Sequence, residues 1–277
     1  TLIDRITGLF RYFSSRQYHI SLFGWYSPPL GPMMIVAAMI IFFMVFTFAV
    51  HPYYWPVLAM GDSPPLSTRA GWISIGILPF MLAFSTKFNL IGLLTGTPHE
   101  KLQVFHRWTA RIMYITSLAH AFPFIELNRR NGTMEVVYST ESYYWTGVAA
   151  LIPQTWLILM SWGPIRSRYY ETFKNASMVF MGFLFLHCNF RLTSWDYIWA
   201  SAGVYGFSWC ARFGLMLFRN GLRHTASFEV LPDGMIRVHI PTQLKWTPGQ
   251  HYFVRFVNMG AHALTSHPFT VTTLSQS

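Results

Sequence analysis

Residues 104–125 read VFHRWTARIMYITSLAHAFPFI. At 1.5 Å per helical residue this run is long enough to cross a hydrocarbon layer of about 30 Å, yet it carries two histidines, His106 and His120. They stand fourteen residues apart. At 100° per residue that spacing puts both within about 40° of one helix face and roughly 21 Å apart along the axis. Titratable side chains are expensive inside a span and mark a functional site by default. One helix face therefore offers two imidazoles at two depths.

Five further apolar runs flank this one: Pro32–Val50 and Trp72–Leu94 before it, and Tyr143–Trp162, Phe173–Phe190 and Trp195–Phe218 after it. The composition agrees with a chain held mostly in lipid. Of 277 residues, 52% are hydrophobic, 18% aromatic and only 11% charged, against roughly 25% charged in a soluble domain. The net charge of +10 comes without a clustered basic reading motif, which argues against nucleic acid as a partner. The basic residues sort by loop instead. Arg5, Arg11 and Arg16 precede the first run, Lys87, Lys101 and Arg107 flank the second loop, and Arg166 and Arg168 separate the fourth run from the fifth. Positive residues stay on the inner side, so both termini are expected to be cytoplasmic.

The loop after the third run holds Glu126, Glu135 and Glu141 against Arg129 and Arg130, and it is expected outside. It also contains Asn131-Gly132-Thr133, a glycosylation acceptor pattern that a chance tripeptide matches as readily. Tyr53-Tyr54-Trp55 and Tyr143-Tyr144-Trp145 fall at run edges, where amphipathic rings act as interfacial anchors. Cys188 and Cys210 lie in or beside apolar runs, which predicts neither a disulfide framework nor a zinc site. No signal-peptide pattern is visible before the first run, and a chain that starts on Thr reads as a fragment.

After Arg223 the pattern changes. Phe228–Ile240 reads as a hairpin turned at Asp233-Gly234, with Ile236, Val238 and Ile240 at period two. Pro248-Gly249-Gln250 marks a turn and Tyr252–Val257 a further strand. An antiparallel barrel needs more strands than these to close its edges. The expected architecture is an all-α membrane bundle of six transmembrane helices followed by the start of an antiparallel β-barrel. The expected divisions are a cytoplasmic segment 1–31, a six-helix domain 32–220 and a partial barrel 221–277.

A third membrane histidine, His187, lies near the far end of the fifth run, at a depth matching His120. Two imidazoles across a cofactor plane suit electron transfer, because a haem iron with both axial positions filled by protein binds no substrate at the metal. The competing readings are packed helix histidines bonded to carbonyls and a proton relay. A compact zinc or copper site is excluded, since fourteen-residue spacing is too long for one.

These residues resemble the fungal ferric-chelate reductases of the ferric reductase and NADPH oxidase superfamily. The resemblance runs nearly the whole chain. It rests on Tyr53-Tyr54-Trp55-Pro56, Gly61-Asp62-Ser63-Pro64-Pro65, His99-Glu100-Lys101-Leu102, His106-Arg107-Trp108, Tyr169-Tyr170-Glu171, His187-Cys188-Asn189-Phe190-Arg191 and Ser194-Trp195-Asp196-Tyr197. In the soluble part, Pro248-Gly249-Gln250-His251 and His267-Pro268-Phe269-Thr270 look like the flavin-domain motifs of that family.

The resemblance implies a flavin-binding barrel and a plasma-membrane protein. It further implies an electron route from cytoplasmic NADPH through FAD and b-type haem, one or two per chain, to external ferric chelates. His106, His120 and His187 would be haem ligands. Thr270 would lie near the flavin ring, with His267, Pro268 and Phe269 completing the FAD segment. The NADPH step rests on the resemblance alone, because no nucleotide-binding glycine loop follows the flavin motif. A multicopper oxidase or an iron permease is an implied downstream partner. The alternatives are a superoxide-producing oxidase of the same superfamily and a catalytically incomplete haem-binding membrane protein.

One departure from the family stands out. The family carries two histidines on the fifth span, the first six residues after the Glu of Tyr-Glu, and counted from Glu171 that position is Ser177. Counting back thirteen or fourteen residues from His187 gives Lys174 or Phe173, and neither replaces imidazole. Met178 would fall on the opposite helix face from His187. The outer pair, His120 with His187, matches the pattern, while the inner position keeps only His106. On the outside, Arg129, Arg130 and Arg191 are candidates to attract anionic chelates or are plain solvated charges.

Overall fold

The computed structural model describes residues 2–23, 25–189, 194–220, 224–241, 246, 251–258 and 267–270. The chain divides into two compact units, Thr1–Trp209 and Cys210–Ser277. The division falls within the last long helix, ahead of the change in composition.

The first unit is helical. A short amphipathic helix α1 (Leu2–Ser14) leads through a small two-stranded turn, β1 (His19–Ile20) with β2 (Trp25–Tyr26), into α2 (Leu30–Phe48). Then come α3 (Pro65–Ser85), α4 (Leu90–Thr95), α5 (His99–Arg130), α6 (Met134–Thr140), α7 (Ser142–Met160), α8 (Gly163–Arg168), α9 (Tyr170–Asn189) and α10 (Trp195–Leu215). Five of the six apolar runs thus lie mostly on one long helix each, and the second is divided between α3 and α4. Two of these, α2 and α3, are long and apolar enough to cross a membrane by composition alone among the described residues. Buried positions of α5, α7 and α10 include Thr109, Thr116, Thr146, Gln154, Ser201 and Ser208.

The second run ends earlier than its hydrophobicity suggests, and this corrects its expected boundary. Instead of continuing to Leu94, α3 stops at Ser85, and α4 begins as a separate helix. Asn89 causes the break. Its side-chain oxygen accepts from the N–H groups of Ile91 and Gly92, while its amide donates to the Ala83 carbonyl. One side chain thereby caps the new helix and satisfies the end of the old one.

The core lies where α3 packs on α5 and α7 on α9, the two most extensive helix pairs. The α3/α5 pair is antiparallel with a seven-residue register. The Ser67 carbonyl meets His120, Ser74 Oγ reaches the Met113 carbonyl, and the Met81 carbonyl meets His106. Seven residues are two helical turns, about 10.5 Å, so the two histidines stand at the ends of a ladder with Ser74 at its centre. Ser67 and Ala70 are fully buried, and such small side chains let membrane helices approach closely. Ser74, Ser117 and Gln154 join in a buried polar link between α3, α5 and α7. Around it pack Ile75, Leu78, Ile112, Met113 and Phe180.

In the second unit the expected hairpin forms: β3 (Ser227–Val230) pairs antiparallel with β4 (Ile236–His239) around Gly234, whose φ of 72° needs glycine. Arg237 and Glu229 sit opposite each other and pair at 3.0 Å. A second hairpin joins β5 (His251–Val254) to β6 (His267–Thr270). The turn expected at Pro248-Gly249-Gln250 lies outside the described residues. Among the described residues the strands form two-stranded sheets.

Candidate metal centre

Each of the three membrane histidines commits the same ring nitrogen to a backbone carbonyl on a neighbouring helix. His120 Nδ1–H donates to the Ser67 carbonyl at 2.8 Å, His187 Nδ1–H to the Tyr143 carbonyl at 2.9 Å, and His106 Nδ1–H to the Met81 carbonyl at 2.9 Å. A carbonyl only accepts. Nδ1 must therefore carry the proton, and in that tautomer Nε2 holds the lone pair. Metal-bound histidines recur in this state, the second nitrogen fixing ring orientation and raising ligand basicity.

The outer pair is built by a repeated device. His120 lies against Gly71 of α3, where an added Cβ would stand 2.5 Å from Nδ1 and 2.8 Å from Cε1. His187 lies against Gly147 of α7, where an added Cβ would stand 3.0 Å from Cε1 and 3.1 Å from Nδ1. In both cases the glycine follows the accepting residue by four, one helical turn on, so the ring occupies the space a side chain would fill. Ser67 Oγ also donates to the His120 carbonyl at 2.8 Å, which makes the α3/α5 link reciprocal. The two glycines and the two carbonyls were missed in the sequence. Their signal is an acceptor and a glycine at i and i+4 on each partner helix.

The imidazoles of His120 and His187 are 6.3 Å apart between ring centroids, with planes inclined at 69°. Imidazole nitrogens about 2 Å from a shared metal are about 4 Å apart, and the centroids lie roughly 1 Å behind each, so a shared metal asks for about 6 Å. The outer pair fits a two-imidazole metal group. No cluster of three or more His, Cys, Asp or Glu is formed among the described residues.

The inner position does not fit such a group. His106 has its carbonyl partner, but α9 carries no histidine besides His187 that could oppose it. The Ser177 hydroxyl donates to the Lys174 carbonyl of its own helix at 2.6 Å. Phe173 lines an apolar cavity of about 300 Å³ with Trp156, Met160, Tyr169 and Arg166.

Arg129 and Arg130 are less available to anions than their sequence suggests. Arg129 grips Glu126 with two bonds of 2.8 and 3.0 Å, and Arg130 reaches the same carboxylate at 2.6 Å. These bonds, Arg129's first, hold the Glu126 carboxyl down to about 2. Arg191 lies outside the described residues. Asn131 is exposed in the turn after α5, next to Gly132 at φ 67°.

In the second unit His251, the described residue of the first candidate flavin motif, is a neighbour of the second motif. His251 pairs with Thr270 and Tyr252 with Phe269 across β5 and β6, so segments sixteen residues apart share one ladder. The Phe269 ring meets Phe256 edge-on at 6.2 Å, a packing role for that residue.

Gly71→Ala should be the most damaging small substitution around the outer pair. Its Cβ must displace the His120 ring, whereas the Gly147→Ala contact needs only a few tenths of an ångström. Loss of ring support typically costs 10–100-fold in metal affinity. The dissociation constant for haem, measured by titration of both variants, should rise by about that range for Gly71→Ala and less for Gly147→Ala; the reverse order would refute the cradle.

Residues 70–188, which include all three histidines, match the family described as ferric reductase like transmembrane component, and residues 221–277 match an FAD-binding domain. Among curated relatives, a probable cell surface ferric reductase kap2 of Aspergillus oryzae is 34% identical over 89% of this chain and 34% of its own length. A ferric/cupric reductase transmembrane component 7 of Saccharomyces cerevisiae is 29% identical over 98% of this chain and 46% of its own. A ferric/cupric reductase transmembrane component 1 of Candida albicans is 23% identical over 97% and 36%. The chain thus spans between about a third and a half of the length of these relatives. In its first part the chain is similar to a ferric reductase like transmembrane component and in its last part to an FAD-binding domain, and it is similar throughout to part of the fungal ferric and ferric/cupric reductases.

Proposed function

We propose that this chain is the membrane part of a ferric reductase that carries electrons from cytoplasmic NADPH, by way of FAD and b-type haem, to ferric chelates outside the cell. The carrying observation is the outer histidine pair. Two imidazoles from α5 and α9, each fixed in one tautomer by a carbonyl and cradled by a glycine, stand 6.3 Å apart between ring centroids with planes inclined at 69°. In this reading α2, α3, α5, α7, α9 and α10 are six spans, both termini are cytoplasmic and the Asn131 turn is external.

His120 and His187 would hold the haem, which supplies one-electron transfer with no coordination position left for substrate. Ser67 and Tyr143 orient the rings through their carbonyls. Gly71 and Gly147 leave room for them. The segment His267–Thr270 would bind FAD, which exchanges electrons in pairs with nicotinamide and singly with metals. The pairing of His251 with Thr270 supports this reading.

The test uses the full-length protein in membranes, with NADPH on the inner side and a ferric chelate on the outer. Chelate reduction insensitive to superoxide dismutase is expected. Superoxide as the product would favour the oxidase alternative, and haem binding without turnover the incomplete one. Thr270→Val, which removes a hydroxyl while keeping shape, should weaken FAD retention and leave haem content unchanged. Equal FAD affinity and equal flavin reduction kinetics in that variant would take Thr270 out of the site.

A further inference from the structure

Helix α1 reads LIDRITGLFRYFS. At 100° per residue Leu2, Ile3, Ile6, Leu9, Phe10 and Phe13 fall within an arc of roughly 120°, while Asp4, Thr7, Gly8 and Arg11 occupy the opposite side. The six apolar side chains are 49–75% exposed, and no residue of the helix is buried. An apolar stripe this continuous is not left to water without a partner.

The helix is nevertheless held in place. Leu30 N–H donates to the Arg16 carbonyl at 2.9 Å and Ser27 N–H to the Tyr18 carbonyl at 2.8 Å, so the short connection is folded back on itself. Gly31 lies so near the end of α1 that an added Cβ would stand 2.9 Å from Ser14 Cβ. The Arg16 guanidinium stacks over Tyr12 at 4.6 Å and Phe13 at 5.8 Å. This fixes the exit of α1 at the first turn of α2, the most apolar helix in the chain at a mean hydropathy of 2.4. Where α2 enters the hydrocarbon, α1 is at the headgroup layer.

We propose that α1 is an interfacial helix lying in the plane of the membrane, its Leu2–Phe13 stripe sunk into lipid and Arg5, Arg11 and Arg16 set against anionic headgroups. A large amphipathic asymmetry with basic residues on the polar side is the pattern of such helices. The continuity with α2 selects lipid over a protein groove, because the helix that α1 is clamped to is itself only slightly buried by protein. The inference rests on the membrane character of the chain and not on its redox role, so its failure would leave the ferric reductase reading intact.

The test places a benzophenone on each face. Phe10→p-benzoylphenylalanine and Arg11→p-benzoylphenylalanine are made in the full chain, reconstituted in nanodiscs of phosphatidylcholine and phosphatidylserine and irradiated, and adducts are read by mass. Lipid adducts several-fold more abundant at position 10 than at position 11 are expected. Equal yields at both positions, no lipid adduct at position 10, or adducts there to protein would each overturn the proposal.

Discussion

Replacing either His120 or His187 by alanine is expected to remove the low-spin haem of this chain almost completely. Each ring supplies one of only two protein ligands, so neither variant leaves a site that is merely displaced, as a glycine substitution would. A group with one axial imidazole also changes spin state, because the low-spin condition needs both. Haem per protein and the low-spin signal should fall together, to the same extent in both variants. A misfolded bundle would produce the same loss, and imidazole added to the medium separates the two cases. It can enter the space left by the ring and restore the signal in a folded variant only. Full haem content in His120→Ala and His187→Ala would refute the ligand assignment.

The part of this site legible in the sequence was the set of residues whose chemistry is out of place in lipid. His106, His120 and His187 are conspicuous because burying them costs free energy, and their depths follow from helical rise alone. What holds the rings could not be read in the same way. A carbonyl has no letter of its own, so the acceptors at Ser67, Tyr143 and Met81 emerge only when α3 is set against α5 and α7 against α9. Gly71, just before the second apolar run, and Gly147, within the fourth, carry no chemical signal of their own. Tyr143 looked like an interfacial anchor, and its backbone turned out to matter for the site.

Helix existence was legible for the same reason. The α3 boundary was not, because an apolar run does not reveal that Asn89 closes one helix while opening the next. Composition likewise marked the β segment after Arg223. Only strand pairing set His251 beside Thr270, since register depends on which strands meet and not on either strand's own pattern. The exposed face of α1 shows the converse case, a pattern plain in the sequence that first appeared as a charge count alone.

The second large effect concerns how many haems the chain holds. His106 shares its helix face and its carbonyl bond with His120, so by those criteria it is equally prepared. It differs in what faces it. Fourteen residues before His187, the same separation as between His106 and His120, stands Phe173, which lines an apolar cavity. Ser177, at the family's expected position, spends its hydroxyl on the Lys174 carbonyl. Neither provides an imidazole. The natural chain is therefore expected to bind close to one haem per protein, and His106→Ala should leave both that ratio and the low-spin signal unchanged. The ladder between α3 and α5 makes such independence physical, because two heptads and the Ser74 link separate the outer clasp from the inner one. Haem quantified per chain in the natural protein and in His106→Ala decides the matter. A ratio near two, falling to one in His106→Ala, would mean that the inner imidazole is used and that α9 supplies it with a ligand of another kind.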